Sequence, residues 1–259
     1  MSKEFDKKEQ PKQFNLKLMA ANFMDGIQRH ADMLSFNLAS RESVEESLYK
    51  KRAAAPQLMP SSKRHQNFEQ MQAYARDLLI RQVFNDCINL SIAALNNSHF
   101  FLAIIKESKG SLKVKKDEEI LAKNRHNHFL KSSIIDKFNL LESTYAIQPN
   151  YKRTIIGMTI AMKSLIQNNG IIKADYFNEK VNEPLELSIK KVFLEKKELG
   201  EEKHSVKIID EVKTFYSGDT IVLTDIEIQK LLITVASFAD YLFKSTARYA
   251  EKFSDNLDK

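Results

Sequence analysis

The densest group of side chains able to do acid–base chemistry is the run Asn124-Arg125-His126-Asn127-His128. Imidazole titrates near neutral pH, and a guanidinium can hold a phosphate through paired hydrogen bonds. Together they could cleave RNA without a metal, because one group activates the 2′-hydroxyl while another stabilises the charge that develops on the phosphate. The candidate catalytic residues are therefore Arg125, His126 and His128. The alternative is a hydrogen-bonded helix junction with no catalytic role.

A lysine-rich segment precedes this run. Residues 106–116 read KESKGSLKVKK and contain five lysines and one acid. Cations in such a loop can contact phosphates with strong salt dependence. No aromatic residue is interleaved, so base stacking is not indicated. The alternative is a solvated surface loop. The candidate nucleic-acid-binding residues are Lys106, Lys109, Lys113, Lys115 and Lys116.

Glycine spacing excludes the common nucleotide-binding motifs. The six glycines are at 26, 110, 157, 170, 200 and 218, and the closest pair is thirteen residues apart. Neither a Rossmann fingerprint nor a Walker A loop can be written with that spacing. No H-E-x-x-H motif is present, and the single cysteine, Cys87, lies in an apolar run that predicts a buried thiol. We therefore expect no cofactor and no metal. His99, beside two phenylalanines, is expected to be a core histidine.

Composition favours long helices. The 259 residues include only six glycines and five prolines, which leaves 61–148 and 185–259 free of proline. The net charge of +6 permits contact with nucleic acid without requiring it. The first residues, MSKEFDKKEQ, do not resemble a signal peptide. The most apolar stretch, 88–105, contains several polar residues and predicts a buried helix, so we expect a cytoplasmic protein without a membrane partner.

Hydrophobic periodicity and capping residues place the elements that would position these side chains. Helices are predicted from Phe14 to about Ala39, over 64–107 with a break near Asn96, and from Asp117 onward. Capping boxes are expected at Ser133 with Asp136 and at Thr224 with Glu227. Asn150 is expected to cap a further helix that ends at residues 168–170. Residues 185–199 are predicted to be helical, and 205–223 fit either a helix or a short extended piece.

These elements predict an all-α fold, a multi-helix bundle of about seven to nine helices with a short extended segment near 206–223. The proline- and serine-containing stretch 53–63 is the clearest linker in the first half of the chain. We therefore expect an N-terminal helical arm or hairpin over 1–60 and the main helical bundle over 61–259. The arm could pack on the bundle and form a single domain with it.

Residues 64–166 resemble the helical bundles of the HEPN class, some of which are metal-independent ribonucleases of defence and toxin systems. The resemblance lies in the long paired helices, in Asn124-Arg125-His126, and in the following apolar helix around Phe138 and Leu141. The family pattern places four to six residues between its arginine and histidine. This chain has Leu130, Lys131 and Ser132 at those positions, so the histidine would have to be His126 or His128. The resemblance implies that this chain is either a ribonuclease or a non-catalytic member of the HEPN class.

Two functions follow from these features. The first is a non-catalytic helical interaction module that contacts an unidentified protein or RNA and could form a homodimer. The second is a HEPN-like, metal-independent endoribonuclease of a defence or toxin system, which uses Arg125 with His128 or His126. The ribonuclease requires these side chains to converge in an open cleft, whereas the RNA-binding version of the first function requires the lysines of 106–116 to share one basic face.

Overall fold

The computed structural model describes residues 15–53, 67–110, 114–173, 184–195 and 205–254. Of these residues, 76% are helical, which confirms the predicted helical architecture. Seven helices and two strands occur within the described ranges. In chain order they are α1 (Leu16–Glu42), α2 (Glu46–Ala53), α3 (Phe68–Glu107), α4 (Lys116–Lys131), α5 (Ile134–Tyr145), α6 (Lys152–Gln167), β1 (Leu185–Glu195), β2 (Ser205–Phe215) and α7 (Asp225–Ser254).

The helix predicted over 185–199 is wrong, because residues 185–195 form strand β1. This strand pairs with β2 in antiparallel register, from Leu185 opposite Phe215 to Glu195 opposite Ser205. Leu185, Leu187 and Ile189 are all buried and alternate with more exposed residues. That spacing of two places them on one face of a strand, whereas a helix would spread them around its axis. The extended alternative for 205–223 is confirmed by β2.

Local hydrogen bonds fix several helix ends as predicted. Ser133 Oγ accepts from the backbone N–H of Asp136 at 3.2 Å and caps α5. At the start of α7, Thr224 Oγ1 accepts from the N–H of Glu227, whose carboxylate accepts from the N–H of Thr224. The predicted cap at Asn150 is wrong, because Tyr151 occupies the N-cap position with a φ of 65°. These short-range bonds satisfy backbone groups that a helix end leaves unpaired.

Helix α3 is continuous, so the predicted break near Asn96 is also wrong. The apolar stripe runs through this region, and Leu95, Ser98 and Leu102 are fully buried. By length and composition alone, α3 is the one helix in the described ranges that could cross a membrane. Of its most apolar window, 56% is buried within the protein, and the core helix of a globular protein meets the same criterion.

The chain divides into two compact units. The first unit comprises Met1–Met24, Ser91–Asn150 and Phe238–Lys259. The second unit comprises Asp25–Leu90 and Tyr151–Ser237. The boundary expected at residue 60 falls in 54–66, outside the described residues. Fully buried residues of the first unit include Leu102, Phe129, Phe138, Leu141 and Phe238. Those of the second include Phe84, Ile155, Met158, Leu187 and Leu231.

In the second unit, Gly157 allows α6 to lie directly against β1. A β-carbon at this position would sit 2.8 Å from the backbone oxygen of Glu186 and 3.0 Å from Cδ1 of Leu185. Backbone atoms cannot move aside as the end of a flexible side chain can. The glycine is therefore required by close packing between the helix and the strand.

We predict that Gly157→Ala lowers the free energy of unfolding by about 1–2 kcal/mol. Overpacking costs roughly 1–3 kcal/mol and here outweighs the helix-propensity gain of alanine. Urea denaturation followed by circular dichroism measures the change. Gly26→Ala is the matched control, because a β-carbon there meets nothing within 4 Å inside α1. It should raise stability by about 0.5–1 kcal/mol. Equal effects of the two substitutions would contradict this packing account.

Candidate functional site

The predicted catalytic run lies on α4 in the first unit, and both ends of this helix are fixed by side chains. At its start, Glu118 Oε2 accepts from the N–H of Lys115 at 2.9 Å. At its end, Lys137 Nζ donates to the carbonyl oxygens of Phe129 and Leu130, the latter at 3.2 Å. Lys137 is only 3% exposed, and its ammonium also lies 4.4 Å from the ring centre of Phe129. A buried cation here compensates the partial negative charge at the end of α4.

Arg125 pairs with Glu107. The guanidinium is half exposed, whereas the Glu107 side chain is mostly buried at the end of α3. Their ion pair therefore ties the middle of α4 to the end of α3. A buried carboxylate needs such a partner, because an unpaired charge in the protein interior costs several kcal/mol.

His126, the next residue, packs against His99 on α3. The two Nδ1 atoms are 3.3 Å apart, so one donates a hydrogen bond to the other. The ring of His99 also stacks on Phe129, with centres 3.9 Å apart and planes 13° apart. Phe100 contacts the other histidine, with its ring centre 5.0 Å from that of His126. His99 is 5% exposed, which agrees with its predicted place in the core.

Tyr145, the last residue of α5, completes what we call the histidine cluster: His99, Glu107, Arg125, His126 and Tyr145. Its hydroxyl is 3.5 Å from Nε2 of His99, and their rings meet edge to face. Lys106 Nζ lies 5.4 Å from the centre of the tyrosine ring. The cluster therefore joins side chains from α3, α4 and α5.

Burial controls the protonation of the cluster. Desolvation, followed by the neighbouring charges of His126, Lys137 and Arg125, lowers the pKa of His99 to about 3. Desolvation and Lys137 also lower the pKa of His126. The pKa of Tyr145 rises to about 12, chiefly through burial. Both imidazoles and the phenol are therefore neutral at pH 7.

The structure separates the three predicted catalytic residues. Arg125 and His126 belong to the histidine cluster, whereas His128 is exposed on α4. Among the described side chains, His128 makes no hydrogen bond or ring contact with the cluster, and only its backbone oxygen accepts a bond, from Ser132 Oγ. His99, Glu107 and Tyr145 were not predicted as site residues. Glu107 and Tyr145 carry no local sequence signal, since their partners are distant along the chain.

Only part of the predicted lysine loop is a loop. Lys106 lies in the last turn of α3, and Lys116 begins α4. Lys109 follows α3 with a φ of 51°, and Lys115 is the N-cap of α4. Lys113 lies outside the described residues. We call the four described lysines the basic junction: Lys106, Lys109, Lys115 and Lys116. Acids at 117–119 follow directly, and Glu119 pairs with Lys123.

No group of three or more His, Cys, Asp or Glu residues that could hold a metal ion occurs in the described ranges. The chemical groups that the site does offer are a half-exposed guanidinium, exposed ammonium groups and neutral imidazoles. Such groups bind anions through hydrogen bonds and charge. The arrangement therefore fits an anionic partner.

We predict that stability falls on acidification because of His99. Its folded pKa, about 3, lies below its unfolded value of 6.5, so between these values the unfolded chain binds the additional proton. Lowering the pH from 7 to 5 should then cost about 2 kcal/mol from this residue alone. Urea denaturation at several pH values measures the slope.

His99→Phe keeps an aromatic ring at this position without a titrating group. On unfolding between pH 7 and 5, this variant takes up about one proton fewer than the wild type. Its free energy of unfolding should therefore change less steeply with pH in this range. Above pH 7.5 the two proteins should differ by a constant amount, which represents the lost hydrogen bonds. Identical slopes in both proteins would show that His99 does not have this role.

The chain matches no protein-family model, no curated protein and no solved structure. No family is therefore assigned to it.

Proposed function

We propose that this protein is a non-catalytic helical module that binds single-stranded RNA through the basic junction and Arg125. The observation that carries this proposal is the Arg125–Glu107 ion pair. Glu107 follows Lys106 directly, so the pair brings the exposed guanidinium on α4 beside the end of α3, from which the basic junction begins. Cations on one surface can contact successive phosphates of a flexible strand.

The protonation of the histidine cluster supports binding over catalysis. Proton transfer to a leaving oxygen requires a group that is protonated at the working pH. The lowered pKa values of His99 and His126 leave both imidazoles without that proton at pH 7. His99 stacks on Phe129, His126 contacts Phe100, and the two imidazoles hydrogen-bond to each other, which gives both rings a structural role. An acidic protein surface is the other partner that the same cations could contact.

We predict salt-dependent binding of single-stranded RNA. The test variant is Lys109→Gln/Lys115→Gln/Lys116→Gln, and binding is measured by fluorescence anisotropy between 50 and 200 mM salt. The slope of log K against log salt concentration is negative, and each lost phosphate contact makes it shallower by about 0.7. The slope of the triple variant should therefore be shallower than that of the wild type by about 2. The substituted side chains are exposed, so the fold should be retained.

The matched control is Lys50→Gln/Lys51→Gln/Lys163→Gln, which removes three exposed lysines from the second unit. It changes the net charge equally and should leave the slope close to that of the wild type. A similar loss in both variants would indicate nonspecific attraction. Absence of RNA binding by the wild-type protein at 50 mM salt would refute the proposed function.

A second candidate function is metal-independent cleavage of RNA, as in the catalytic branch of the HEPN class. The observation that favours it is that consecutive residues of α4 both reach α3, where His126 hydrogen-bonds to His99 and Arg125 pairs with Glu107. A neutral imidazole can accept the proton of a 2′-hydroxyl, and a guanidinium can stabilise the phosphate charge. His128, exposed on the same helix, is the remaining group that could protonate the leaving oxygen.

Cleavage of labelled single-stranded RNA in EDTA tests this second function. If it holds, the wild type cleaves the RNA and Arg125→Ala/His128→Ala loses at least a hundredfold in rate, as expected for loss of a general acid and a charge-stabilising group. His126→Ala in a separate protein identifies the base. Intact RNA after hours at micromolar protein, with binding retained, would leave the non-catalytic module.

A further inference from the structure

A polar cleft lies in the first unit, between the end of α5 and the C-terminal half of α7. We call it the tyrosine cleft. Its volume is about 290 Å³. The lining residues used below are Tyr145, Gln148, Tyr241, Arg248, Tyr249 and Lys252. None of them was predicted as a site residue. Tyr145 belongs to both the histidine cluster and this cleft.

One face of α7 forms a wall of the cleft. Tyr241, Arg248 and Lys252 are spaced seven and four residues apart, which places them on one face of α7, and Tyr249 lies at the side of this face. The two α7 tyrosines are partly exposed, and Tyr249 is held edge to face against Tyr145 with ring centres 5.4 Å apart. The wall therefore combines aromatic surface with cationic groups.

The other wall is the turn that follows α5. Ala146 has a φ of 54°, and its N–H and that of Ile147 donate to carbonyl oxygens of the last helical turn. These bonds close the end of α5 and fix the turn. The next side chain, Gln148, is exposed and lines the cleft, so its amide can both donate and accept a hydrogen bond.

Charge in the cleft has a single sign. Arg248 and Lys252 both line it, and none of its described lining residues is acidic. A guanidinium such as that of Arg248 holds an anion through paired, charge-assisted hydrogen bonds. The cleft therefore favours a ligand that is anionic.

We propose that the tyrosine cleft binds a single nucleotide with a terminal phosphate. The phosphate binds Arg248 and Lys252, the base lies against Tyr241 and Tyr249, and the amide of Gln148 contacts the base edge. The volume of about 290 Å³ lies just below the roughly 300–1,000 Å³ range of ligand pockets, so the cleft is large enough for one nucleotide at most. The proposal rests on the proposed function only in taking an RNA end as the source of that nucleotide; a free nucleotide is the other source.

Binding of adenosine monophosphate, adenosine and hexaglutamate to the full-length protein tests this site by isothermal titration calorimetry. We expect the monophosphate to bind most tightly. Arg248→Gln should weaken its binding about tenfold, since a charge-assisted hydrogen bond is lost. Tyr241→Leu should weaken the binding of the monophosphate and the binding of adenosine by similar factors. Lys244→Gln is the matched control, because Lys244 is exposed on α7, pairs with Asp240 and does not line the cleft.

A parallel measurement compares 5′-phosphorylated, 3′-phosphorylated and unphosphorylated RNA. Tighter binding of a phosphorylated end, lost in Arg248→Gln but kept in Lys244→Gln, supports the site with RNA as the source. Monophosphate binding without RNA binding supports the site and refutes the proposed function. RNA binding that depends on the basic junction but not on phosphorylation or Arg248, with no monophosphate bound, overturns the site alone. Tighter binding of hexaglutamate than of the monophosphate also overturns it.

Discussion

A buried imidazole keeps its free energy low only if it stays neutral and its nitrogens find partners, and His99 meets both conditions. Its two nitrogens face His126 and Tyr145, and its ring face lies on Phe129. The two helices that supply these partners, α4 and α5, are thereby held against α3 around one side chain. This arrangement also positions Arg125, which is next to His126 in the chain, and Lys106, whose ammonium contacts the ring of Tyr145.

The charged side chains around His99 differ in how deeply they are buried. Lys137 lies buried and neutralises the end of α4, Glu107 is mostly buried and holds Arg125, and the guanidinium itself reaches solvent. Lys137 and Glu107 thus each have a partner within the protein, the helix end for the lysine and the guanidinium for the carboxylate. The exposed lysines at 115 and 116 are followed directly by acids at 117–119, so the charge at the start of α4 is mixed.

Local sequence signals predicted the parts of the fold that depend on local bonds. The caps at Ser133 and Thr224 were correct, because each hydroxyl acts within three residues of its position. Strand β1 was missed, since its alternation is short and resembles a helical stripe when neighbouring apolar residues are included. Arg125 and His126 were recognised by residue type alone. Glu107 and Tyr145 could not be recognised from the sequence, because only tertiary packing brings them into the histidine cluster. The cleft residues on α7 could not be recognised either, because they lie within a helical pattern that also supplies core residues.

The contact between His99 and His126 has a consequence for hydrogen placement. With only one hydrogen available to the two facing Nδ1 atoms, the tautomer of His126 dictates the tautomer of His99. If His126 donates, Nε2 of His99 carries the hydrogen and the Tyr145 oxygen accepts; if His126 accepts, the phenol must donate instead. The orientation of the Tyr145 hydroxyl on α5 is therefore linked to the half-buried ring of His126 on α4, so the three side chains change state together.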